Sequence, residues 1–207
     1  QSAGGRQDPV QRRPLRGGAF LLDRTVTLTT PLDKDRLAAL RAGDMILLSG
    51  TVYAARDTAH RRIVESLDRG EEAPFPLTGS VIYYVGPTPP PPGRVIGAAG
   101  PTTAYRMDAY APRLYELGLA ASIGKGKRSP ELRDCLRRCG GVYLGATGGA
   151  AALLSRHITA SELIAYPELG PEAVRRLEFR DFPVIVIYDA HGGDVFAALT
   201  DPARCHR

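Results

Sequence analysis

Short, wholly apolar runs punctuated by glycine recur along the chain, and stretches of helical periodicity lie between them. Residues 45–48 (Met-Ile-Leu-Leu), bounded by Gly43 and Gly50, are apolar at every position, which predicts a strand buried on both faces. Residues 80–85, 119–123, 142–146 and 184–188 repeat that pattern, and 158–166 reads as mostly strand. Helices are predicted over 33–40 and from Asp57 or Thr58 to Gly70, the latter with Ala59, Ile63, Val64 and Leu67 on one side. Asp108 is positioned to cap a further helix that Gly118 stops. Ser129 followed by Pro130 starts another that ends at Gly140. Residues 150–157 and 171–177 complete the helices. Strands alternating with helices, the strands apolar on both faces, predict one α/β domain with a largely parallel central sheet. Residues 1–18 lack apolar periodicity and read as a disordered basic arm, leaving 19–207 for the domain.

Composition narrows the function. At 207 residues one core is ample, and 43% hydrophobic with 24% charged residues is ordinary for a globular chain. The net charge of +5 is uneven, because Arg6, Arg12, Arg13 and Arg16 face a single acid, Asp8, in the arm. The folded part does not interleave Lys and Arg with aromatics, and Trp is absent, which argues against nucleic-acid binding. No run of 18 apolar residues or apolar leader is found, so neither a membrane span nor a signal peptide is expected. Three cysteines, an odd and low count, point to a reducing, cytoplasmic setting. Cys135 and Cys139 share one face of a predicted helix. They read as small core residues and not as metal ligands, because zinc wants four ligands and a cubane iron–sulfur cluster three or four thiolates.

Four polar clusters fall at loop ends, where α/β proteins keep their ligand sites. They are residues 55–60 (Ala-Arg-Asp-Thr-Ala-His), 100–108 (Gly-Pro-Thr-Thr-Ala-Tyr-Arg-Met-Asp), 124–129 (Gly-Lys-Gly-Lys-Arg-Ser) and 146–150 (Ala-Thr-Gly-Gly-Ala). Guanidinium forks, ammonium groups, hydroxyls and glycine-rich backbone suit a small, multiply anionic substrate. Each cluster also has a plainer reading: a helix-start ion pair, a turn, a solvated run including Arg128, and a strand-to-helix turn. His60 lies one helical turn after Arg56 and is placed to support it. Gly124-Lys125 is not a nucleotide phosphate loop, since the glycine spacing is wrong and Gly126 stands where a hydroxyl is required.

These clusters lie within longer strings: Tyr53 to Arg62 (Tyr-Ala-Ala-Arg-Asp-Thr-Ala-His-Arg-Arg), Ile82 to Pro89 (Ile-Tyr-Tyr-Val-Gly-Pro-Thr-Pro) and Gly97 to Thr103 (Gly-Ala-Ala-Gly-Pro-Thr-Thr). Arg106-Met107-Asp108, Ile123 to Arg128, Gly148 to Leu154 and Asp181-Phe182-Pro183 follow. With them, residues 25–195 resemble the β subunit, or C-terminal half, of the iron–sulfur class I fumarate hydratase and tartrate dehydratase family. The resemblance implies a three-layer β/β/α swivelling domain and reversible hydration of an unsaturated dicarboxylate, fumarate to (S)-malate first, tartrate or a methylated dicarboxylate second. It implies a [4Fe-4S] cluster held by three cysteines of an α-type partner, with no metal ligand in this chain, and an α2β2-like hetero-oligomer. A catalytically silent dicarboxylate-binding relative is the alternative of a different class. By position, Thr102 resembles the family's proton-transfer threonine, and Arg56, Arg106 and Lys125 its carboxylate-binding cations, with Lys127 the rival of Lys125. Asp57, His60, Gly100 and Thr103 stand in supporting positions.

Overall fold

The computed structural model describes residues 24–147 and 149–200. The expected arm, 1–18, and Cys205 lie outside the described residues. Seven strands form one sheet: β1 (Thr25–Thr29), β2 (Met45–Ala54), β3 (Val81–Tyr83), β4 (Ala121–Gly124), β5 (Val142–Gly145), β6 (Ile158–Ala165) and β7 (Val174–Tyr188). Six helices accompany them: α1 (Lys34–Ala38), α2 (Asp57–Asp68), α3 (Ala111–Glu116), α4 (Pro130–Cys139), α5 (Ala151–Leu154) and α6 (Val195–Thr200). The strand order is β1-β2-β3-β4-β5-β7-β6, and β7 also pairs with β2. Strands β2, β3, β4, β5 and β7 therefore close into a five-stranded barrel.

The expectation of an α/β domain holds, but the largely parallel, three-layer arrangement is corrected. Strands β1 to β5 pair in parallel, whereas β7 runs antiparallel to β2, β5 and β6. The 310 segment Pro167–Glu172 joining β6 to β7 is too short for a parallel crossover, so the two must run antiparallel. Residues 171–177, expected to be helical, contain the start of β7 instead. Buried Val174 and Leu177 are three apart, which imitates a helical step. Beyond them burial alternates strictly at Leu177 and Phe179, then at Phe182, Val184, Val186 and Tyr188. The phase slips where Asp181 adopts φ 49°, and that bulge bends the long strand around the barrel.

Residues alternate between two cores along the barrel strands. Val81, Tyr83 and Val85 join Ile46, Leu48, Val52, Ile123, Leu144, Leu177 and Phe182 in the barrel interior. Ile82, Tyr84 and Tyr143 face outward, where Ile63, Leu114, Leu132 and Leu136 from α2, α3 and α4 cover them. Burial on both faces explains why these strands read as continuous apolar runs.

One charged side chain crosses the second core. Arg128, in a run that reads either as a ligand cluster or as a solvated surface, is fully buried. Its guanidinium lies 5.3 Å from the Tyr84 ring centre and 4.8 Å from that of Tyr143. Nη1 donates to Ser122 Oγ (3.1 Å) and Nε to Asp108 Oδ1 (2.5 Å). Asp108 was expected to cap a helix, but α3 begins at Ala111 with Tyr110 as its N-cap. The other carboxylate oxygen of Asp108 accepts instead from the amide of Ser129 (2.6 Å), whose own hydroxyl caps α4. The three barrel strands and the start of α4 are thus referenced to one ion pair. Removing one partner of a buried pair strands the other, at a cost of about 3–5 kcal/mol. Arg128→Ala should lose about that much unfolding free energy in urea titrations; a loss under about 1 kcal/mol would show that Asp108 finds other partners and that the pair organises little.

Candidate active site

The parallel strands β2, β3, β4 and β5 all end at the same mouth of the barrel. Immediately beyond those ends lie Arg56, the segment from Tyr84 to Gly86, Lys125, and Thr147. Ligands of parallel α/β sheets bind outside such carboxyl ends. The Thr102 segment is brought there by backbone hydrogen bonds. The Thr102 amide donates to the Tyr84 carbonyl (2.7 Å), the Lys125 amide to the Thr102 carbonyl (3.2 Å), and the Ala104 amide to the Lys125 carbonyl (2.9 Å). Thr103 and Lys125 form a parallel bridge. A side chain at Gly124 would come within 2.9 Å of Ala104 Cβ and of Tyr84 Cδ2, so this approach requires glycine. Thr102 is half-buried, and the side chains of Thr103 and Lys125 are exposed beside it.

The two arginines meet through a carboxylate. Arg56 is the N-cap residue of α2, and Arg106 sits in the 310 turn Ala104–Met107. Asp57 Oδ2 is 2.5 Å from Arg106 Nη2, and its Oδ1 is 4.0 Å from Arg56 Nε. Arg56 Nη2 also lies 3.3 Å from Glu172 Oε1, on the β6–β7 connection. Its Cδ–Nη1 side lies against Gly86, where a Cβ would come within 2.8 Å of Nη1. Arg56 and Arg106 therefore form one cationic cluster with Asp57 between them, and Thr102 leaves the same turn as Arg106.

The remaining expected residues divide. Gly100 packs on α5, where a Cβ would sit 2.9 Å from that of Ala151, so it shapes the turn and touches no site cation. Lys127 places its Nζ 5.4 Å from the ring centre of Phe196 on α6. His60 is buried, and Nδ1 donates to the Arg56 carbonyl (2.8 Å) while its ring meets Tyr84 edge-on. Burial lowers its pKa to about 4, partly offset by the Arg56 hydrogen bond, so the imidazole is neutral and braces the turn carrying Arg56. Sequence reasoning missed Glu172 and left Arg128 open between a ligand cluster and a solvated run. Their partners lie between 6 and 116 residues away, and no local pattern marks them.

The two cysteines among the described residues lie apart from these groups. Cys135 and Cys139 lie on α4 with their sulfurs 3.7 Å apart, and the Cys135 thiol donates to the Pro112 carbonyl. Burial, then the contact with Cys139, pushes the Cys135 pKa up to about 12, so it is a thiol and not a thiolate. Two cysteines packed between α3 and α4, one of them a buried thiol, do not by themselves fit a cluster that needs three thiolates.

With this geometry in place, comparison with known proteins is decisive. The model of the family described as Fumarase C-terminus matches residues 8–199. The chain belongs to the Fumarase C-terminus family. It is 41% identical to fumarate hydratase 2 of Leishmania major over 83% of this chain and 31% of that protein. It is 40% identical to the aerobic class I fumarate hydratase of Escherichia coli K12, over 87% of this chain and 34% of that protein. Against a protein named putative L(+)-tartrate dehydratase subunit beta from Methanocaldococcus jannaschii it is 39% identical, over 80% of this chain and 88% of that one. The chain thus spans about a third of the fumarate hydratases and nearly all of the tartrate dehydratase subunit. Among the described residues no helix is long and apolar enough to cross a membrane.

The Arg56 turn rests on a neutral His60, which has a pH consequence. In the unfolded chain His60 returns to its ordinary pKa of 6.5. Between pH 6.5 and about 4 the unfolded state binds a proton that the folded state refuses, so stability falls as pH drops through that window and is unaffected above it. The loss should approach about 3 kcal/mol by pH 4. Urea titrations from pH 4 to 8 should show a shallower acid slope for His60→Gln than for wild type; equal slopes would mean that His60 titrates normally in the fold.

Proposed function

We propose that this chain is the substrate-cation-bearing, β-type part of a [4Fe-4S]-dependent hydro-lyase that interconverts fumarate and (S)-malate. The observation that carries the reading is the meeting of two guanidinium groups, Arg56 and Arg106, beside the Thr102–Lys125 pairing at one barrel mouth, in a chain of this family. On this reading the cluster is held by an α-type unit, where it supplies Lewis-acid chemistry, and the active form is a hetero-oligomer. The length match to a tartrate dehydratase subunit favours one second reading, dehydration of a hydroxylated dicarboxylate such as tartrate.

The roles follow from the chemistry of each group. The planar forks of Arg56 and Arg106 bind carboxylate through paired hydrogen bonds, which fixes orientation as well as charge. Lys125, exposed at the end of β4, supplies a point charge for the second carboxylate. Thr102 gives its hydroxyl proton to carbon in the hydration direction and takes it back from carbon in dehydration. An unaided threonine hydroxyl is a poor acid, and on this reading Lys125, whose backbone pairs with the Thr102–Thr103 segment, stabilises its deprotonated form. Substrate binding has to loosen Asp57 from Arg106, because that carboxylate already occupies part of the fork.

Three variants of the complex between this chain and an α-type unit test the reading. Thr102→Val keeps the shape and removes the hydroxyl, so kcat should fall about 10²–10⁴-fold with little change in KM; near-normal kcat would leave Thr102 a turn residue. Arg106→Lys keeps the charge and loses the fork, so kcat/KM should fall at least about tenfold. A value within a factor of about two would reduce Arg106 to bulk charge. Lys125→Ala should raise KM, whereas Lys127→Ala should not. The 207-residue chain alone, reconstituted with iron and sulfide, should hydrate nothing, and fumarase activity from it would overturn the assignment of the cluster to an α-type unit.

A further inference from the structure

The side of Arg56 that a carboxylate would use is covered by the chain itself. Nε–H and one Nη2–H of a guanidinium point the same way and make a two-donor edge for carboxylate. In Arg56 the opposite, Cδ–Nη1 side is wedged against Gly86. The Nε–Nη2 edge meets Glu172 through Nη2 alone, at 3.3 Å, and Nε is buried without a hydrogen-bond partner. Asp57 Oδ1, 4.0 Å from that Nε, is equally unpartnered. A guanidinium edge that holds one oxygen loosely and leaves a buried donor idle is incompletely satisfied.

Glu172 sits on a short strap that joins β6 to β7. The strap is the 310 segment Pro167–Glu172, kinked at Gly170 (φ 57°, ψ −118°), between β6 and β7. It is tied to α2 near its start, where Arg62 pairs with Glu168 and stacks on Tyr166. Glu172 itself is partly exposed and pairs with Arg56.

We propose that Glu172 is a displaceable internal carboxylate that covers the Nε–Nη2 edge of Arg56 and competes with the substrate carboxylate for it. This rests on the dicarboxylate reading above and adds a residue that sets its affinity. An arriving carboxylate replaces one contact with two and satisfies the idle Nε. The fork is held in place meanwhile, and the apparent affinity is reduced by the fraction of time Glu172 occupies it. A fixed support for Arg56 would behave oppositely, since removing it would disorder the fork and weaken binding.

Glu172→Gln is nearly isosteric and removes the competing charge. In the 207-residue chain, labelling of Arg56 by phenylglyoxal, read by peptide mass spectrometry, should be at least about twofold faster in E172Q than in wild type. In the complex with an α-type unit, E172Q should lower KM for fumarate by about two- to fivefold, the range of a partly exposed ion pair. Equal labelling rates, or a KM that is unchanged or raised, would overturn the proposal. A complex that hydrates no dicarboxylate would refute the functional reading, and the labelling comparison would still decide whether Glu172 covers Arg56.

Discussion

A guanidinium buried between two tyrosine rings fixes much of this molecule. Arg128 stays charged in the second core, where Asp108 compensates it, and Asp108 satisfies its second oxygen with the Ser129 amide. That closed set of partners draws the loop after β4 and the turn after Met107 together. The first of these carries Lys125 and the second follows Arg106. The contacts of Arg128 with Tyr84, Ser122 and Tyr143 reference the pair to three parallel strands. The Tyr84 carbonyl in turn receives the Thr102 amide. The positions of Thr102, Arg106 and Lys125 are therefore consequences of how one buried charge is compensated, and the groups themselves stay at the surface for a ligand.

The site is electrostatically occupied in the absence of ligand. Arg106 holds Asp57 and Arg56 holds Glu172, so the mouth of the barrel is far less positive than its arginine content implies. Pre-paired cations keep their geometry without needing substrate to order them, at the cost of a competition that substrate must win. Lys125 is exposed and keeps its charge available, while His60 adds none because burial keeps it neutral. The arrangement suits a ligand with two carboxylates, one exchanging for internal acids at the arginines and the other meeting Lys125.

Much of this was legible in the chain. The apolar runs at 45–48, 80–85, 119–123, 142–146 and 184–188 are all barrel strands, because burial on both faces erases alternation and leaves a signal that is hard to misread. The loop holding Lys125 follows such a run directly, whereas Arg56, Thr102 and Arg106 were singled out by the polar clusters they lie in and by the family resemblance. The closure of the barrel was not legible. It depends on β7, whose phase slips at Asp181 and whose first buried residues are spaced like a helix. The burial of Arg128, among Lys125, Lys127 and two glycines, had no local signal, because it depends on tyrosines that only the folded chain brings near. Glu172 lacked a local signal for the same reason: its partner is 116 residues away.

The central claim is that one dicarboxylate is held at the barrel mouth by the arginine pair and Lys125 over Thr102. A structure of the complex between this chain and an α-type unit, with succinate bound, tests it most directly. The account predicts one succinate carboxylate against Arg56 and Arg106 in place of at least one internal acid. It places the other near Lys125, with a methylene carbon facing the Thr102 hydroxyl. Succinate bound away from the ends of β2 to β5, with the Asp57 and Glu172 pairings intact, would contradict it.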